Sequence, residues 1–96
     1  MRMVMLVFNE TLESEVSDLA RASGLDSWTR LDGVSGKGRH SGTHLGTDVW
    51  PGRNVLLLAA VPAAAVEPLL EGVRRLRDAS GREGVKAFVW ALEAAT

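Results

Sequence analysis

Two short apolar runs constrain this chain more than anything else in it. Met3 to Phe8 is continuous, with valines at 4 and 7, and Val55 to Val61 reads Val-Leu-Leu-Leu-Ala-Ala-Val. Runs this short are buried strands rather than helices, and the first reads as covered on both faces. Each run leads into helical spacing. Leu12, Val16 and Leu19 share one helical face, with Asn9 or Thr11 as the N-cap. Glu10, Glu13, Glu15 and Asp18 lie off that face, near the end where a helix favours negative charge. Gly24 reads as the C-cap, with Leu25 packing just beyond it. After Pro62 the spacing predicts a second helix from 63 to 80, with Val66, Leu69, Leu70, Val73 and Leu76 as its stripe. Pro68 belongs near the first turn of that helix, and Glu71 and Arg75 make an i,i+4 pair. Arg74, Arg75 and Arg77 gather at its C-terminal end, and Gly81 stops it.

Two more strands complete the set. Ser27 to Val34 carries Trp28, Thr29 and Val34 but also Asp32 and Gly33, so it reads as a strand that bulges near Gly33. From Val85 to Leu92, Val85, Ala87, Val89 and Ala91 alternate with Lys86, Phe88, Trp90 and Leu92. Both faces of this strand are apolar toward its end, which fits burial at a subunit contact. The order is strand, helix, strand, strand, helix, strand. With right-handed crossovers this is an α+β ferredoxin-like sandwich: a four-stranded antiparallel sheet with two helices on one face. Residues 1–96 read as a single domain.

Composition excludes several classes. There is no cysteine, hence no disulfide, thiolate metal site or cysteine nucleophile. Eleven basic against twelve acidic residues leave a net charge of −1, which points away from nucleic acid. No apolar run is long enough for a signal-peptide core or a membrane span, so the chain reads as cytoplasmic, without membrane insertion. The fold itself names no function. An RNA-recognition domain needs aromatics on its central strands, and Val55 to Val61 has none. A metallochaperone of this topology needs paired cysteines. An acylphosphatase needs an arginine-bearing phosphate loop after the first strand, where this chain has Asn9-Glu10-Thr11. An amino-acid-sensing module remains open.

Glycine is unevenly spread. Of ten glycines, six (Gly33, Gly36, Gly38, Gly42, Gly46, Gly52) fall between residues 33 and 52. The segment 35–54 has no period and ends in the turn signal Trp50-Pro51-Gly52; aperiodic loops this long are usually functional or mobile. Gly36-Lys37-Gly38-Arg39 is neither a Walker loop nor a dinucleotide fingerprint. It offers unobstructed backbone N–H groups beside two cations, which suits an anion, or else it is a flexible loop base.

Trp28-Thr29-Arg30-Leu31-Asp32-Gly33-Val34-Ser35-Gly36-Lys37-Gly38-Arg39 resembles the second strand of PII signalling proteins, running into the Gly-x-Gly-Arg at the base of their T-loop. Gly84-Val85-Lys86-Ala87-Phe88-Val89 resembles the end of the PII B-loop. The block from His40 to Gly52 is unlike the usual T-loop, which suggests the PII-like branch. The resemblance implies a homotrimer, a small anionic effector such as an adenine nucleotide in clefts between subunits, and a T-loop (35–54) that docks on a transporter, enzyme or regulator. It places Thr29, Gly36, Lys37, Gly38, Arg39 and Lys86 at the effector, and His40, His44, Asp48 and Trp50 in the docking loop. The chain departs from the family in its shorter turn, Gly81-Arg82-Glu83-Gly84, and in lacking arginines after the last strand. With no tyrosine present, tyrosine uridylylation is excluded, and Ser35 and Ser41 are the conceivable modification sites.

A second reading concerns metal. His40, His44 and Asp48 are spaced by four, and two imidazoles with a carboxylate suit a divalent metal, as in CutA-like trimers of similar architecture. Trp50 is either a packing anchor or a partner contact. Ser41 beside His40 lacks a third group, so the chain reads as a regulator rather than an enzyme.

Overall fold

The computed structural model describes residues 1–36, 53–81 and 84–96. The elements follow the expected order: β1 (Arg2–Asn9), α1 (Glu13–Ala22), β2 (Thr29–Val34), β3 (Asn54–Val61), α2 (Ala63–Ala79) and β4 (Val85–Ala91). Among the described residues the strands form one antiparallel sheet in the order β2-β3-β1-β4.

The period of two along each strand sorts the sheet into two faces. On one, Val4, Leu6 and Phe8 of β1 stand beside Leu57, Ala59 and Val55 of β3 and Val85 of β4. Val16 and Ala20 of α1 and Leu69 and Val73 of α2 close over them and complete the core. Each of these larger side chains contributes about 1.5–3 kcal/mol through burial. Among the described residues the other face carries no helix. There Met3, Met5 and Val7 of β1 are only half-buried, so within a single chain the described residues cover the first strand fully on one face. Leu31, Phe88 and Trp90 on the same open face are 47%, 47% and 45% exposed.

The helix ends follow the expected chemistry. Asn9 caps the entry: its Oδ1 accepts from the Thr11 N–H at 2.9 Å and from Thr11 Oγ1 at 2.8 Å. A turn of 3-10 helix, Glu10–Leu12, intervenes before α1. At the exit, the Leu25 N–H bonds to the Ala20 carbonyl and the Gly24 N–H to that of Arg21, with Gly24 at φ +83. This is the Schellman arrangement, and Leu25 is buried beside it. Gly33, at φ +68, lies at the register shift between Leu31 and Val34, so the expected bulge is present.

Two expectations for α2 are corrected. Pro68 is the sixth helical residue, beyond the first turn, so the Ala64 carbonyl loses its intrahelical partner. Both residues are exposed, where water replaces that bond. Glu71 pairs with Arg74 at 3.2 Å rather than with Arg75, because Glu67 also reaches Arg74, at 2.9 Å. Two carboxylates converging on one guanidinium outcompete the single i,i+4 pair, and they raise the Arg74 pKa above its ordinary value.

The helices meet where Gly72 of α2 faces Leu19 of α1. A Cβ on Gly72 would lie 3.5 Å from Leu19 Cβ and 3.6 Å from its Cδ1, ordinary van der Waals contact. Gly72→Ala is therefore expected to stabilise the chain by about 0.5–1 kcal/mol through helix propensity. The thermal midpoint should rise by about 3–6 °C. A lower midpoint would mean that the helices cannot accept even one methyl group at this crossing.

Candidate functional site

One end of the sheet gathers the chain segments that the sequence marked. Here β2 ends at Val34 opposite Asn54, Asn54 stands opposite Asn9, and Phe8 faces Val85 of β4. Gly36 lies just beyond β2 and is exposed; a Cβ there would meet nothing within 4 Å. The open space beside its backbone is room for an approaching group.

Consecutive amides of the β1 exit tie this end together. The Asn9 N–H donates to the Gly84 carbonyl at 2.8 Å, and the Glu10 N–H donates to the Arg53 carbonyl at 3.0 Å. Gly84 takes φ +90, and a Cβ there would sit 2.9 Å from Leu12 Cδ1. Glycine suits this backbone conformation, and a Cβ here would also displace the tip of the Leu12 side chain. Glu13, the first residue of α1, accepts a two-pronged hydrogen bond from Arg30 of β2, at 2.8 and 2.6 Å. Arg30 also reaches Asp32 at 2.9 Å. The Arg30 hydrogen bond holds the Glu13 carboxyl below its ordinary pKa, and the two acidic partners raise that of Arg30.

The marked residues do not all meet within one chain. Lys86 stands on the open face opposite Val7, and Thr29 stands on it opposite Leu58. They occupy the two edge strands, with β3 and β1 between. Three strand spacings separate those edges, about 14 Å. Trp28 lies just outside β2 and is 52% exposed. Lys37, Gly38, Arg39, His40, His44, Asp48 and Trp50 lie outside the described residues. Among the described residues no three His, Cys, Asp or Glu side chains come together as metal ligands. Arg53 is a cation that sequence reasoning passed over. It is exposed at the same sheet end, and its carbonyl is held by Glu10. Its only sequence signal was position, one residue before an apolar strand.

The family model for the nitrogen regulatory protein P-II matches residues 1–96. The chain belongs to the P-II family. The family is one of regulatory proteins, and the ferredoxin-like sheet and helices agree with it. No curated protein sequence is similar enough to be matched. Among solved structures, CPII from Thiomonas intermedia K12, bound to ADP, AMP and acetate, superposes with a TM-score of 0.71 at 25% identity, covering 92% of this chain and 81% of that one. CPII bound to ADP, AMP and bicarbonate gives a TM-score of 0.73 at 24% identity, covering 99% and 92%. A chain from Thermus thermophilus classed with the PII-like signalling proteins gives 0.63 at 20% identity, covering 93% and 82%. Among the described residues no helix is long and apolar enough to cross a membrane.

Proposed function

We propose that this chain is a PII-like regulator that assembles as a homotrimer and binds an adenine nucleotide in clefts between subunits. Its 35–54 segment serves as a T-loop that docks on a transporter, enzyme or other regulator. The open apolar face and the placement of Thr29 and Lys86 on opposite edges carry this reading. Neighbouring copies that buried this face would bring the β2 edge of one chain toward the β4 edge of the next. The effector site is then shared: Thr29 from one subunit, and Gly36, Lys86 and Arg53 from the sheet end of another. Lys37, Gly38 and Arg39 extend it as further donors to phosphate. ADP and AMP in the CPII structures support the choice of nucleotide.

Calorimetric titration of the full chain with ADP, AMP and ATP tests this. Binding is expected, and Lys86→Ala and Arg53→Ala should each weaken ADP about tenfold, the size of one charge-assisted hydrogen bond. Absence of heat with all three nucleotides and with cyclic dinucleotides would remove the nucleotide from the reading.

A further inference from the structure

The residues from Asn9 to Glu13 touch three strands, β4 and β3 at the sheet end and β2 at Arg30, in register with Leu57 and Leu6. Asn9 and Glu10 hold the entries to β4 and β3 through their amides, Leu12 lies against Gly84, and Glu13 holds β2 through Arg30. β2 needs such a hold more than its neighbours. Among the described residues it is an edge strand paired on one side only, its ladder is interrupted between Leu31 and Val34, and all its residues but Val34 are exposed. Among the described residues, its side-chain hydrogen bonds are those of Arg30.

We propose that the Glu13–Arg30 pair is a positioning device for the effector site, fixing β2 against the start of α1. Arg30 stands opposite Leu57, on the helix side of the sheet, while its neighbour Thr29 points to the open side. A guanidinium fork on a carboxylate fixes direction as well as distance, because two parallel N–H···O bonds tolerate little rotation. The pair thereby sets the orientation of the strand that carries Thr29 at its start and leads to Gly36. With both side chains more than a third exposed, at 35% and 40%, it contributes little to global stability. Its effect is local. The proposal rests on the reading of Thr29 and Gly36 as effector contacts, and on no contact between the pair and the effector itself.

Glu13→Gln and Arg30→Lys in the full chain test this. Asp18→Asn, which breaks the exposed Asp18–Arg21 pair farther along α1, is the control. Two readouts are needed: hydrogen exchange of the β2 amides paired with β3, and ADP affinity. Either variant should speed β2 exchange about fivefold while leaving β1 and β4 unchanged. Either should also weaken ADP about three- to tenfold. The double variant should be no worse than the more affected single one, since both remove the same interaction. Asp18→Asn should move neither readout. Unchanged β2 exchange in both variants overturns the proposal. So does faster exchange with unchanged ADP affinity, because the pair would then be merely structural. If the unmodified chain binds no ADP, the nucleotide reading fails and a positioning role toward ADP falls with it, and the exchange measurement then decides only whether the pair holds β2.

Discussion

Phe88→Asp is expected to convert the proposed trimer into folded monomers. Phe88 lies on the open face beside Met5, which in turn stands opposite Leu58. Phe88 is 47% exposed in the single chain, so the fold of one subunit does not depend on its burial. An assembly that covers the face does depend on it. A carboxylate in an apolar contact loses its hydration without gaining a partner, at a cost of several kcal/mol per site, and a homotrimer carries three such sites. Each 1.4 kcal/mol is about a factor of ten in association, so the assembly should weaken by several orders of magnitude. Sedimentation equilibrium should show a fall to a third of the native mass, while the far-ultraviolet circular dichroism stays that of the parent. A variant that keeps the parent mass would mean that the contact lies elsewhere. A parent that is itself monomeric at micromolar concentration would end the trimeric reading.

The strands and helices were legible because their signals are local. Met3 to Phe8 and Val55 to Val61 announce strands by composition alone, and Gly24 and Gly33 sit where only a left-handed backbone serves. The open face was half legible. The apolar residues alternating along Val85 to Ala91 pointed to a contact, but only the register shows Phe88 and Trp90 in rows with Met5 and Met3. The site was less legible still. The resemblance alone placed Thr29 and Lys86 in a cleft between subunits; the strand order puts them on opposite edges of one chain, a separation that no local pattern along either strand displays. The Glu13–Arg30 pair spans seventeen positions and joins two elements. Spacing rules see pairs within a helix, and even there they chose Arg75 over Arg74. The backbone bonds of Asn9 and Glu10 were invisible for a simpler reason: any residue but proline can make them.

Gly84→Ala should be the most damaging single methyl group at the sheet end. Two costs combine. At φ +90 an L-residue is strained by about 1–3 kcal/mol. The new Cβ would also lie 2.9 Å from Leu12 Cδ1 and 3.9 Å from Asn9 Cβ, so Leu12 must move. Leu12 cannot move freely, because it packs against the hydrophobic core. Overpacking of this kind costs about 1–3 kcal/mol more. Gly81 supplies the internal control: it has a similar φ of +79, but a Cβ there would meet nothing within 4 Å. Gly81→Ala should therefore show the backbone cost alone, and Gly84→Ala should exceed it by at least about 1 kcal/mol in urea unfolding. In a Leu12→Ala background the excess should disappear, since the colliding carbon is gone, leaving the two glycine positions equivalent. Equal losses at Gly81 and Gly84 in the parent would show that Leu12 yields without cost. The loop would then be held by the Asn9–Gly84 hydrogen bond and backbone conformation, with no contribution from side-chain packing.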